Sequence, residues 1–226
     1  MLGTVSVKTL AYRFVPSWLV GELRHHKHLR DLATDVEPED AAVRRILAPG
    51  QTALDVGANY GVFTKLFSEL VGPAGSVLAF EPVPITFRTL AAGIERYHLH
   101  NVKAINKAVS DHADRMWMTI PSYRNGFGDN LCEAHLTNPS AAQGVFPVDS
   151  VTIDSLNLPR VDFIKIDVEG HELEVLKGCR ETIAKYHPAL LVEVTSPKTV
   201  EYLCHEMGYP QPLTVSPSNE LFTYRS

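Results

Sequence analysis

Apolar residues fall along this chain in short unbroken runs that alternate with stretches of helical spacing. From Thr52, residues 53–56 form an apolar run interrupted only by Asp55, Gly57 and Gly61 follow closely, and residues 62–70 are amphipathic. That order predicts strand, tight turn and helix. The same alternation recurs downstream. A buried strand is expected over 76–80, a helix over 84–97 with Phe87, Leu90, Ala91 and Ile94 on one face, and a third strand over 102–109. A strand over 115–120 is expected at an edge, and extended chain over 145–156. Further strands are expected over 161–167 and 189–194, with helices through Leu173, Val175 and Leu176 and over 197–207. Residues 212–215 and 221–224 read as a closing hairpin around Pro217, Ser218 and Asn219. A short helix over 40–47, ended by Pro49 and Gly50, precedes all of this.

Strands alternating with helices predict an α/β fold, a doubly wound and mostly parallel sheet covered on both faces. Two segments stand outside the pattern. Residues 1–36 carry apolar positions at helical spacing around Pro16 and form an expected N-terminal helical segment, packed on or capping a main domain of residues 37–226. Residues 121–143 are polar and rich in Gly and Asn. A loop of that length in a compact domain is a lid, a binding loop or disordered chain, and 121–147 is expected to close over the site with Tyr123, Asn125, Asn130 and His135 as hydrogen-bonding groups.

Ligands on open α/β sheets bind beyond the carboxyl ends of the strands. Asp55 with Gly57, then Glu81, Asp167 and Glu193, all fall at those ends. The glycine turn resembles a dinucleotide fingerprint but lacks its third glycine and puts a carboxylate, Asp55, on the strand before it. A pyrophosphate would be repelled there, whereas a ligand with an amino acid end, such as S-adenosylmethionine, would find Asp55 for its ammonium and the helix N-terminus for its carboxylate. Glu81, at the end of the next strand, is spaced as the acid that binds ribose hydroxyls. Lys165 lies within a buried strand, where a charge needs a partner.

Composition narrows the class. The chain has 226 residues and a formal charge of -5, enough for one well-buried domain and without the basic face of a nucleic-acid binder. Cys132, Cys179 and Cys204 are widely spaced, which indicates neither a zinc knuckle nor a disulfide framework and favours a reducing cytoplasm. No apolar run reaches the roughly 20 residues of a membrane span. His25, His26 and His28 lie among basic residues; a solvated helix face accounts for them better than a metal site.

Taken together, the runs Leu54 to Gly61, Phe80-Glu81-Pro82, Asn106 to Asp111, and Ile164-Lys165-Ile166-Asp167-Val168-Glu169-Gly170-His171-Glu172 resemble the FkbM family of S-adenosylmethionine-dependent methyltransferases. The resemblance covers about residues 50–195, with His171 where the family commonly has Ala. It implies the class I methyltransferase (Rossmann-like) fold, a seven-stranded sheet with an antiparallel C-terminal hairpin. It further implies that Gly57, Ala58, Asn59 and Gly61 hold the methionine part with Thr64 near its carboxylate. By the same resemblance Glu81 and Pro82 stand at the ribose, Asn106 and Ala108 at the adenine, and Asp167 beside the sulfonium. The implied reaction is methylation of a hydroxyl of a sugar, polyketide or related small molecule.

Such a transfer needs a base for the hydroxyl proton. His171 is the first candidate because its unperturbed pKa suits the task, with Asp167 and Glu169 next and Glu193 on the acceptor side. Alternatively Asp167, Glu169, His171 and Glu193 hold Mg²⁺ or a similar ion that acidifies the hydroxyl. Methylation of nitrogen on a peptide or RNA, and a binding module without catalysis, remain rival functions. The oligomeric state is open, a homodimer among the arrangements.

Overall fold

The computed structural model describes residues 37–121, 130–138, 140 and 144–224, together with 27, 28, 30, 32 and 34. Most of the expected N-terminal helical segment, and the loop positions Tyr123 and Asn125, lie outside the described residues.

The strands form where the apolar runs stand. β1 (Thr52–Val56), β2 (Ser76–Phe80), β3 (Val102–Ile105), β8 (Phe163–Ile166), β9 (Ala189–Glu193), β10 (Leu213–Thr214) and β11 (Asn219–Phe222) make one sheet in the order β10-β11-β9-β8-β1-β2-β3. The five strands from β9 to β3 run parallel. β11 pairs antiparallel with β9, and β10 antiparallel with β11. This is the expected class I arrangement, with the C-terminal hairpin reversed against a parallel sheet.

Helices cover both faces, so the central strands are apolar at nearly every position rather than alternating with polar residues. Side chains still alternate between two cores. Leu54, Val56, Ile164, Ile166, Leu190 and Val192 pack on one side with α4 (Glu172–Lys177) and α5 (Arg180–Tyr186). Ala53, Val77, Phe163 and Leu191 pack on the other with Val43 of α1 (Asp40–Ile46) and Phe67 of α2 (Val62–Val71). Leu90 of α3 (Pro84–Arg96) covers Ala58 and Ala79.

Three elements depart from the sequence expectation. The run 102–109 is two strands: β3 ends at Ile105 and β4 (Ala108–Val109) leaves the main sheet. At the break, just past β3, the side-chain amide of Asn106 donates to the carbonyls of Glu81 (2.8 Å) and Pro82 (3.0 Å), which follow β2. The expected edge strand at 115–120 is β5 (Arg115–Thr119), and it belongs to a second sheet with β4, β6 (His135–Leu136) and β7 (Phe146–Val151), ordered β4-β7-β5-β6. The helix expected over 197–207 is α6 (Pro197–Glu201) followed by a π-helical turn, Tyr202–Glu206. No helix among the described residues is long and apolar enough to cross a membrane.

Gly178 joins the two sheets. It caps α4, and a Cβ there would lie 2.0 Å from the carbonyl oxygen of Ser110, which follows β4. That contact is with backbone and cannot be relieved by a side-chain rotation. Gly178→Ala is therefore expected to destabilise the fold by roughly 1–3 kcal/mol, the usual cost of overpacking a well-packed site. A lower urea midpoint at unchanged slope would show it; an unchanged midpoint would mean that Ser110 moves freely.

Candidate active site

The glycine turn after β1 is built by contact with its neighbours. Gly57 adopts φ 80°, and a Cβ on it would sit 1.7 Å from the carbonyl oxygen of Asp167 at the end of β8. Only glycine lets the two strand ends approach so closely. The amides of Gly57 and Ala58 both donate to the carbonyl of Phe80, at 3.0 and 2.9 Å, which ties the turn to the end of β2. Asn59 is left-handed, φ 49°.

Glu81 is locked into the same corner. Its Oε2 accepts the amide of Asn59 (2.9 Å) and its Oε1 the amide of Val83 (2.8 Å). The residue is 5% exposed. Burial pushes its carboxyl up to about 7; the two amides hold it down, and the nearby Asp55 and Asp167 raise it further.

The end of β8 carries the opposite charge. Lys165 is 4% exposed, and its ammonium donates to Asp167 Oδ2 at 2.8 Å and lies 4.9 Å from the centre of the Phe63 ring. The partner that a buried lysine requires is thus supplied two residues along its own strand. Burial alone would lower the Lys165 pKa, but Asp167, Asp55 and Glu193 overcome it and the ammonium is held above its ordinary value. Burial works against the charge of Asp167 too, and Lys165 more than offsets it, keeping that carboxyl below its ordinary range. Glu193, closing β9, is pushed up to about 7 by burial and then by Asp167, with Glu169 and Glu172 adding to it. Acceptor oxygens of Asp167, Glu169 and Glu193 lie within 4.8 Å of one another.

Glu172 fixes the turn between β8 and α4. Its Oε1 accepts the amide of Gly170 (2.7 Å) and its Oε2 the hydroxyl of Thr195 (2.5 Å). Glu169 within that turn is left-handed, φ 53°, an unusual state for a residue with a Cβ. Burial raises its pKa, then Asp167. His171 packs its Nε2 3.0 Å from the Ser110 hydroxyl, with Nδ1 3.6 Å from Glu174, and burial lowers its pKa.

A cavity of about 240 Å³ opens over these strand ends. Of the residues singled out in the sequence, its wall takes Gly57, Asn59, Glu81, Pro82, Ala108, Asp167, Glu169, His171 and Glu193. Asp55, Ala58, Gly61, Thr64 and Asn106 stand off that wall. Asp55 is wholly buried and takes the Thr64 hydroxyl at 2.5 Å, so both side chains brace the turn from beneath. Ala58 faces Leu90 and Ala79 in the core. A Cβ on Gly61 would meet Leu90 at 2.7 Å. The Asn106 amide is spent on the carbonyls of Glu81 and Pro82.

Asn130 and His135 are off the wall as well: the Asn130 amide donates to the carbonyl of Pro121, and His135 Nδ1 lies 2.9 Å from the carbonyl of Glu133. Their apolar neighbours Leu131, Ala134 and Leu136 line the cavity instead, with Met118 of β5. Sequence reasoning looked for polar groups in this loop and passed over these side chains; the alternation of Ala134 and Leu136 around His135 was the available signal. From the N-terminal segment, the ring of His28 stacks on Tyr60 of the glycine turn at 3.7 Å.

A model described as the methyltransferase FkbM domain matches residues 55–209. The hexuronic acid methyltransferase AglP of Haloferax volcanii is 28% identical over 182 residues, covering 76% of this chain and 70% of that protein. The 31-O-demethyl-FK506 methyltransferase FkbM of Streptomyces tacrolimicus is 29% identical over 176 residues, covering 62% of this chain and 67% of that protein. The crystal structure of methyltransferase FkbM from Methylobacillus flagellatus superposes with a TM-score of 0.56 at 17% identity, over 92% of this chain and 60% of that one. This last likeness is one of fold. The match to Methyltransferase 1 of Beauveria bassiana, 28% identical over 142 residues and 55% of this chain, likewise spans only 57% of that protein. With the matched domain taking in most of the sheet and every strand end on the cavity wall, the chain belongs to the FkbM methyltransferase family.

Proposed function

We propose that this chain is an enzyme that transfers the methyl group of S-adenosylmethionine to a hydroxyl oxygen of a small molecule. The observation that carries the reading is Glu81, a nearly buried carboxylate on the cavity wall, bonded to the glycine turn through Asn59. The names of two similar proteins, one acting on a hexuronic acid and one on a demethylated FK506, support the acceptor class.

The residues fit the cofactor. Asn59 lines the cavity with its Oδ1 buried and without a hydrogen-bond partner, an acceptor left for a ligand's donor. Gly57 presents backbone without a side chain, and Glu81 keeps lone pairs for two ribose hydroxyls beyond those its amide partners use. Ala108, Met118 and Leu136 offer an apolar wall for a flat aromatic base. S-adenosylmethionine supplies a methyl group made electrophilic by its positive sulfur. Asp167, kept ionised by Lys165, provides the charge complementary to it. The chain has to align the acceptor oxygen with the methyl and keep water out; the loop 121–147 is the proposed cover, with Leu131, Ala134 and Leu136 as its contact with the cavity.

Asp167, Glu169 and Glu193 have the oxygen donors of a magnesium site. An ammonium already sits on Asp167, however, so much of the charge a divalent ion would neutralise is met, and we assign no metal. The carboxylates at the cavity and the net charge of -5 also oppose a nucleic-acid acceptor. The free thiols of Cys179 and Cys204 suit a cytoplasmic setting.

Calorimetry is expected to show S-adenosylmethionine binding in the micromolar range and no binding of NAD; the reverse result would reject the proposed function. Glu81→Ala should weaken cofactor binding by about 1.5–3 kcal/mol, roughly ten- to a hundredfold, by removing hydrogen bonds from a charged acceptor. Unchanged affinity in a folded variant would take Glu81 out of the site.

Glu81 also makes stability depend on pH. Its folded pKa of about 7 lies above the ordinary 4.5, so between those values the folded state holds a proton that the unfolded state has released. Stability should therefore be full below the lower value, fall as pH rises toward the higher one, and level off above it. The share due to Glu81 is on the order of 3 kcal/mol at most. In thermal melts from pH 5 to 8, Glu81→Gln should flatten this fall without abolishing it, because Glu193 titrates in the same range. An identical slope in the variant would mean that Glu81 is ionised throughout.

A further inference from the structure

Apart from Glu81, whose two oxygens accept the amides of Asn59 and Val83, four groups on the cavity wall are chemically able to take the proton that a hydroxyl acceptor must lose: His171, Asp167, Glu169 and Glu193. Their hydrogen bonds separate them. The Ser110 hydroxyl donates to Asp111 Oδ1 (3.2 Å), so at the 3.0 Å contact with His171 it is Nε2–H that donates to Ser110. The remaining nitrogen, Nδ1, lies 3.6 Å from Glu174 Oε2 on α4. Nε2–H is thus taken up by Ser110, and Nδ1 is turned toward Glu174, beyond hydrogen-bond length. Asp167 is bonded to Lys165 Nζ, and a carboxylate held ionised in an ion pair is a weak base. Glu169 lies on its turn at the more open side of the cavity.

Glu193 differs from all three. It lines the cavity at the end of β9, its carboxyl shares a side-chain hydrogen bond with Asp167, and its Oε2 is buried with no hydrogen-bond partner. Its acceptor oxygens stand within 4.8 Å of those of Asp167 and Glu169. The groups that face it are Asp167 and Lys165 from β8, Glu169 from the turn and Glu172 from α4, while Asn219 stands opposite it across β11. Burial, and then three carboxylates against one ammonium, favour a neutral Glu193 before the cofactor binds. A positive charge brought beside Asp167 reverses that preference.

We propose that Glu193 is the proton acceptor of the reaction, ionised by the arrival of the cofactor's positive sulfur and protonated again as that charge is consumed. The inference rests on the function proposed above and assigns the base within it. The acceptor's O–H bond breaks with its proton passing to the Glu193 carboxylate. The oxygen's electron pair forms the new O–CH₃ bond, while the breaking C–S bond leaves its pair on sulfur. The products are a methyl ether, the neutral thioether and a protonated Glu193, so the net charge at the site is the same before and after. The Glu193 carboxyl, pushed up to about 7 by burial and then by Asp167, places this exchange within reach of neutral pH.

The test needs no acceptor. S-adenosylmethionine and S-adenosylhomocysteine share ribose, adenine and amino acid groups and differ in the charge on sulfur, so any response of Glu81 to the ribose cancels between them. Titration calorimetry at pH 6.5 in buffers of different ionisation enthalpy counts the protons released on binding each. S-adenosylmethionine is expected to release roughly half a proton more than S-adenosylhomocysteine. Glu193→Gln, checked for folding by its thermal melt, should bind both and lose that difference. A second measurement on the unmodified protein at pH 9, where Glu193 is already ionised, should also show the difference vanish. Equal release from the two ligands at pH 6.5, or an undiminished difference in Glu193→Gln, would overturn the assignment while leaving the methyltransferase function standing. Failure of both ligands to bind would overturn both.

Discussion

The close approach of Gly57 to the carbonyl of Asp167 is the constraint on which the site depends. β1 and β8 are neighbours at the centre of the sheet, paired from Ala53 and Phe163 to Val56 and Ile166. Immediately beyond that pairing their chains turn outward within a distance that leaves no room for a methyl group. The turn carrying Asn59 and the turn carrying Asp167 and Glu169 are therefore held on two sides of one cavity. Spreading the strand ends far enough to admit a side chain would also strain the bonds from Gly57 and Ala58 to Phe80, and with them the placement of Glu81.

Electrostatics adds a second layer. Asp55, Glu81, Asp167 and Glu193 converge from four neighbouring parallel strands, and Lys165 enters among them from within β8. Isolated burial of these carboxylates would be costly, and the ammonium reduces the cost unevenly because it bonds only Asp167. One acid is consequently held charged while Glu81 and Glu193 are left near neutrality. Chemically identical side chains acquire different protonation states from the position of one amine, which is how a site built largely of carboxylates comes to contain both a fixed charge and exchangeable protons.

The main sheet was legible because strands buried on both faces leave unbroken apolar runs, and the glycine turn and the Lys-Ile-Asp-Val-Glu-Gly run mark their own ends. The acids at those ends followed from the rule for where parallel sheets bind ligands. Long-range hydrogen bonding was not legible. Nothing local in Asn106 says that its amide will reach the carbonyls of Glu81 and Pro82, so a single strand was expected where two sheets divide. Asp55 looked like a ligand group because its carboxylate ends a strand, yet alternation turns it beneath the turn, where Thr64 meets it. The apolar wall was missed for a different reason: Leu131, Ala134 and Leu136 sit in a stretch whose polar composition drew attention to Asn130 and His135.

The division at Asn106 gives the cavity two walls, joined where Val109 and Val151 of the second sheet reach the main core. One belongs to the main sheet and its two large cores. The other rests on a small apolar cluster of its own, Val83, Ala108, Met118 and Val148, with Leu131, Leu136 and Phe146 packed around it. Exchanging Met118 or Leu136 for a side chain of another shape redraws the pocket at the expense of that minor cluster alone, while the strands that carry Asp167 and Glu193 keep their register. Such partition lets the side chains of one wall diversify over evolutionary time while the main sheet stays as it is, much as interchangeable dies are fitted to a fixed press.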